Sequence, residues 1–174
     1  MLRRHTIVCL SSQSWDDSMW TNKQHIMSRL ARDHDVIHVD YGLVPFPAFL
    51  AHHLRRRPRA LAHPWQLLWD GVVARDGSLS TATSFSPLFT RWLAHDHPLR
   101  DHAAHDVKIQ RVARYLRRRG ISDPIIWVYH PLFGDALDGL PRKLLIYDCV
   151  DNYAAFPTYR PVASWLGARE ERLC

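Results

Sequence analysis

The sequence predicts an α/β domain with a mostly parallel, doubly wound sheet, and three observations predict it. Residues 125–129 (IIWVY) and 143–149 (KLLIYDC) are short apolar runs without polar alternation. Such runs suit strands that helices cover on both faces, as in parallel sheets. Residues 6–40 read strand, helix, strand within about 35 residues, the length of a βαβ unit. Both late runs also finish in polar and aromatic groups: Trp127, Tyr129, His130 and Pro131 in one, and Tyr147, Asp148, Asp151, Asn152 and Tyr153 in the other. Ligands of open α/β sheets bind beyond the carboxyl ends of the strands, so two strands ending this way point to a site.

The elements follow in order. Residues 6–11 (TIVCLS) form the first strand. A helix begins at Thr21, which with Gln24 has the spacing of a capping box. Its apolar stripe is Ile26, Met27, Leu30 and Ala31. Residues 35–40 (DVIHVD) form the second strand. Residues 41–64 are broken by Pro45, Pro47, Pro58 and Pro64, with a short amphipathic helical turn expected at 50–57. Residues 70–82 read as a hairpin, inserted into the βαβ order, because Asp76-Gly77 separates GVVAR from SLSTAT. Residues 84–98 read as an aromatic loop. The longest helix is expected over 101–119, with Ile109, Val112, Ala113 and Leu116 at i, i+3, i+4 and i+7 and Gly120 at its C′ position. Strand 125–129, a helical turn near 133–137, strand 143–149 and a helix over 162–173 behind Pro161 complete the chain. The order β-α-β, hairpin insertion, α-β-α-β-α is Rossmann-like.

The 174 residues are 47% hydrophobic and 23% charged, enough for one soluble domain with a core. No apolar run approaches the roughly 18 residues of a membrane span. The apolar stretch 6–10 is shorter than the roughly 7–15 residues of a signal-peptide core, so the expected location is cytoplasmic. Cys9, Cys149 and Cys174 lack metal-ligand spacing and read as small buried hydrophobes. The net charge is +6, with Arg clusters at 55–59 and 117–119. No nucleic-acid motif accompanies them, so no nucleic-acid partner is expected. They read either as solvated surface or as a peripheral contact with an anionic membrane at the inner face of the plasma membrane, where each basic residue gains roughly 1 kcal/mol.

The loop after the first strand, SSQSWDDSMW, contains no glycine. Dinucleotide and P-loop sites need glycines so that backbone can approach phosphate, so neither NAD nor ATP is expected here, and no cofactor elsewhere. The loop offers Gln13, Trp15, Asp16, Asp17 and Trp20 instead. Indole faces stack on sugar rings and carboxylates accept from hydroxyls; the plain alternative is a capping loop. Lys23, Gln24 and His25 open the first helix, at an end that attracts anions. Each also has a plain reading, as solvated lysine, capping residue and surface histidine. His130 has the proton affinity of a general acid or base, or holds a loop. Asp148 and Asp151 bind ligand hydroxyls or order their own loop. The pairs His52/His53, His95/His97 and His102/His105 lack partner ligands, so no metal site is expected. No GxSxG or Cys/His nucleophile pattern occurs. Asp16 and Asp17 lie too far along the loop for a phosphoacceptor receiver domain.

The run WTNKQHIMSRLA followed by DVIHVDYG, together with IIWVYHP, LLIYDCVDNYAAF and Glu170/Glu171, resembles the N-terminal domain of GT-B glycosyltransferases of bacterial surface-polysaccharide assembly. It is similar to the family 1/4 type that includes teichuronic-acid transferases. The resemblance implies a two-domain, metal-independent enzyme. Its N-terminal Rossmann-like half holds a glycan or lipid-linked acceptor, and a C-terminal half binds the nucleotide-sugar donor. Residues 1–174 then correspond to the acceptor half, truncated before the donor domain and inactive alone as a hexosyltransferase. Gln13, Trp15, Asp16, Asp17, Trp20, Lys23, Gln24, His25, Tyr129, Asp148 and Asp151 would bind substrate, with His130 as catalytic helper. The rival expectation is a non-catalytic binding or scaffold domain with the same half fold. In either case the face that would meet the second half makes self-association an expectation.

Overall fold

A computed structural model describes residues 4–41, 44–45, 71–82, 85–86 and 98–174. Its centre is a six-stranded sheet in the order β4-β5-β2-β1-β7-β8. The strands are β1 (Thr6–Leu10), β2 (Asp35–Val39), β4 (Val72–Asp76), β5 (Leu79–Ala82), β7 (Ile125–Val128) and β8 (Leu144–Tyr147). All neighbours pair in parallel except β4 with β5. A separate two-residue parallel pair joins β3 (Val44–Pro45) to β6 (Phe85–Ser86). The fold is α/β.

The central strands are apolar on both faces because both faces are covered. Along β1, Val8 and Leu10 pack with Ile37, Val39, Ile126 and Val128 on one side. Ile7 and Cys9 pack with Val36 and Met27 on the other. Helix α1 (Asn22–Leu30) lies on the second face through Ile26, Met27 and Leu30. Helix α2 (Pro98–Arg118) lies on the first through Ile109, Val112, Ala113 and Leu116. A buried leucine such as Leu116, 0% exposed, contributes about 2–3 kcal/mol through apolar area removed from water.

The ends of α1 and α2 follow from local chemistry. The Thr21 N–H, orphaned at the start of α1, donates to Gln24 Oε1 at 3.1 Å. At the end of α2, Gly120 takes φ +66°. Its N–H donates to Arg117 O at 3.1 Å, and that of Ile121 to Leu116 O at 2.9 Å. This is a Schellman closure, which needs the left-handed conformation that glycine adopts without steric cost.

Several expectations need correction. The expected hairpin joins the main sheet: β5 pairs in parallel with β2, and only β4 runs against the rest as the edge. Its turn has the expected Gly77 at φ +52°. Helix α2 begins at Pro98 rather than residue 101, since proline's missing N–H costs nothing in a first turn. Pro161 lies inside a 3-10 segment, Pro157–Val162, and α3 (Ala163–Glu171) follows it. The turn after β7 is a 3-10 segment, Pro131–Gly139. Cys9 is buried, but Cys149 and Cys174 are exposed, beyond the strand and the last helix. The expected turn at 50–57 lies outside the described residues. Among the described residues no helix is long and apolar enough to cross a membrane.

Candidate functional site

The chain moves from β1 outward to β2 on one side, and later enters β7 on the other side of β1. Connections therefore diverge at the carboxyl ends of β1 and β7. They leave a crevice there, the usual ligand position in such sheets. The loop after β1, the first turn of α1, Tyr129-His130 after β7 and Asp148 after β8 all come to this edge.

On the α1 side of the crevice stands Lys23. It is 6% exposed, and its Nζ lies 5.4 Å from the centroid of the Tyr129 ring. Tyr129 is fully buried, and its hydroxyl makes no hydrogen bond of acceptable geometry. Burial, with the nearby Cys9 and Asp148, pushes the Tyr129 phenol far up, so it stays protonated. The Asp148 carboxylate accepts from Trp127 Nε1 at 3.3 Å. Burial likewise keeps the Cys9 thiol protonated and unreactive.

His130 is 1% exposed. Its Nδ1 accepts the Leu132 N–H at 3.1 Å, capping the 3-10 segment, so Nε2 carries the proton. Nε2 lies 3.1 Å from the Tyr159 hydroxyl, and that hydroxyl lies 3.1 Å from the Tyr41 hydroxyl. Tyr153 packs against the imidazole with centroids 4.0 Å apart. Burial, aided by the Lys23 charge, pushes the His130 pKa down to about 3. A neutral, capped and enclosed imidazole is a weak base; its clear work is to join the ends of β2 and β7 to the segment around Tyr159.

The loop after β1 is largely committed to structure. Trp15 is 7% exposed, packs edge-on against His38 at 5.1 Å, and its backbone N–H donates to Asp40 Oδ1 at 2.7 Å. Asp16 receives both Arg75 guanidinium nitrogens at 2.6 Å, a bidentate tie to the edge hairpin. Asp17 closes a turn by accepting the Ser14 N–H at 3.1 Å. Gln24 is buried between the Thr21 N–H and the Ser14 carbonyl, and Gln13 Oε1 accepts the Thr21 hydroxyl at 2.5 Å. Trp20 is 42% exposed and stacks edge-on with Trp15 and His25. Trp20 and His25 thus form an outer aromatic pair, separate from the crevice floor. Asp151 is exposed, while Asp148 is half-buried.

The structure thus gathers Gln13, Lys23, Tyr129, His130 and Asp148 at one strand edge. It turns Trp15, Asp16 and Gln24 toward their own loop and leaves Asp17, Trp20, His25 and Asp151 in solvent. Sequence reasoning missed Tyr41, Tyr153 and Tyr159 as a ring around His130, and Arg75 as the partner of Asp16. Tyr41 stands directly after Asp40 at the end of β2, and Tyr153 stands among the polar and aromatic groups that follow β8, a signal that was available; Arg75 gave none. Among the described residues no group of three or more His, Cys, Asp or Glu side chains could hold a metal ion. Two of the three expected histidine pairs lie outside the described residues, and the side chains of His102 and His105 do too. In comparison with known proteins, no family model and no curated protein matches the chain.

Proposed function

We propose that this chain is the acceptor-binding half of a glycosyltransferase, one that moves a sugar from a nucleotide-sugar to a glycan or lipid-linked acceptor in cell-surface polysaccharide synthesis. The carrying observation is the crevice at the carboxyl ends of β1 and β7, where a buried cation, a half-buried carboxylate and a ring of tyrosines converge. A Rossmann-like, doubly wound half of GT-B type supports such a crevice with its loops. In this reading Lys23, Tyr129 and Asp148 contact the acceptor. His130 positions the wall rather than transferring a proton, because its Nδ1 lone pair is taken by Leu132. The donor nucleotide-sugar is met by a second domain, and no cofactor is required. Turnover of radiolabelled nucleotide-sugars by this chain, and by the chain joined to any downstream domain, tests the reading. Transfer by the joined form alone is the expected result. Transfer by neither would favour the second reading.

That second reading is a non-catalytic binding domain of the same fold. The commitment of Trp15, Asp16 and His130 to internal contacts favours it. Arg117, Arg118 and Arg119 are exposed at the end of α2 and offer a contact for an anionic membrane at the cytoplasmic face.

A further inference from the structure

Lys23 is costly where it stands. The residue is 6% exposed, and among the described residues its side chain has no hydrogen bond and no ion pair; only the face of Tyr129 answers it. It also occupies the first turn of α1, the end of a helix that repels cations. That first turn contains no acidic residue. The α1 terminus is pinned at the crevice by Gln24 Nε2 on the Ser14 carbonyl and by the Thr21 hydroxyl on Gln13. A buried lysine that forms no ion pair among the described residues and a helix first turn without an acidic residue therefore stand together at the end of β7.

We infer that the crevice holds a phosphoryl group of its ligand between Lys23 Nζ and the first turn of α1. This rests on the reading of the crevice as the acceptor site and names the acceptor as phosphorylated. A multi-oxygen anion accepts from the ammonium and from helix N–H groups together, and so offsets both costs at once. The glycine-free β1 loop keeps backbone from wrapping that group as a nucleotide loop does, so the charge is met by one side chain and one helix end. Tyr129 forms the floor beneath the ammonium, with its hydroxyl beside the Asp148 carboxylate.

The test is titration of inorganic pyrophosphate into this chain, followed by the amide resonances of Asn22, Lys23, Gln24 and Tyr129. Saturable shifts are expected, weakened at least about tenfold in Lys23→Met, which loses a charge-assisted contact. Binding should be retained in Lys23→Arg and in the exposed control Lys143→Met. Without ligand, Lys23→Met should melt at or above the native temperature, which separates lost binding from lost folding. A second arm uses phosphatidic acid vesicles against phosphatidylcholine vesicles. Lys23-dependent binding of pyrophosphate assigns a soluble phosphate ester; Lys23-dependent binding of phosphatidic acid alone assigns a lipid-borne one. No binding in either arm, or binding indifferent to Lys23→Met, overturns the inference. Nucleotide-sugar turnover is read separately, so an active transferase with no phosphate affinity sinks this inference and leaves the transferase standing.

Discussion

Two lysines are buried against opposite faces of the same sheet, and the protein answers them differently. Lys108, in the middle of α2, is 1% exposed and donates to the Asp40 carbonyl at 2.6 Å, at the end of β2. Lys23, in the first turn of α1, is 6% exposed and meets only an aromatic face at the end of β7. Helix position sharpens the contrast, because a helix end repels a cation where a helix middle does not. Lys108 thus closes the architecture by satisfying a strand-terminal acceptor. Lys23 leaves an electrostatic demand open at the edge where ligands enter.

Acid provides the largest perturbation of this comparison. His130 senses Lys23 and is held neutral in the folded chain, with a pKa of about 3 against 6.5 when unfolded. Above pH 6.5 both states are neutral there. As pH falls from 6.5 toward 3, the unfolded chain takes up a proton that the folded one refuses, so stability falls, by up to about 5 kcal/mol, and levels off below 3. Urea melts across this range should show the slope. His130→Asn, which keeps an acceptor for the Leu132 N–H, should flatten it, and Lys23→Met should reduce it by removing the charge that opposes protonation. A slope unchanged in His130→Asn would show that the imidazole is not its source.

Next comes Lys108→Met. It preserves the aliphatic stem but deprives the Asp40 carbonyl of a donor, so denaturant melts should show a loss of about 1–3 kcal/mol. A neutral result would place Lys108 in the same class as Lys23. The smallest effect is expected at Asp16→Asn. It breaks the bidentate tie to Arg75, where the side chains are 26% and 14% exposed, and should cost about 1 kcal/mol or less. Because the proposed anion site lies at Lys23 and the first turn of α1 rather than at Asp16, amide shifts on pyrophosphate addition should persist in this variant.

Much of the fold was legible because double-sided burial leaves a direct mark. IIWV and LLIY have no polar alternation, and both are sheet strands. The Asp76-Gly77 hairpin and the Gly120 helix end were legible because each needs a positive φ that few residues tolerate. The place of the hairpin was not legible. The run LSTA states that a strand is buried, but not that its partner is β2, some forty residues earlier. The site divided along the same line. The position of His130 and Asp148 at the strand ends was legible because they closely follow apolar strands. Lys23 was weighed as a solvated lysine because its neighbours Asn22 and Gln24 are polar; its burial comes from docking α1 against the end of β7. Trp15 and Asp16 read as ligand groups because their true partners, Asp40 and Arg75, are distant in sequence.

The strands of this sheet are only four or five residues long, which sets a spacing of about 15 Å between its two edges. Arg117–Arg119 end the helix that leads into β7, so they stand at the amino edge, whereas Lys23 opens the helix that leaves β1 at the carboxyl edge. That spacing is nearly twice the Debye length of about 8 Å at physiological ionic strength. At that distance the solvated arginine charges act only weakly on a group at the other edge. An anionic surface drawn to the arginine cluster would neither compete for the anion at Lys23 nor strengthen its grip, and the two attractions act as independent circuits on one small domain.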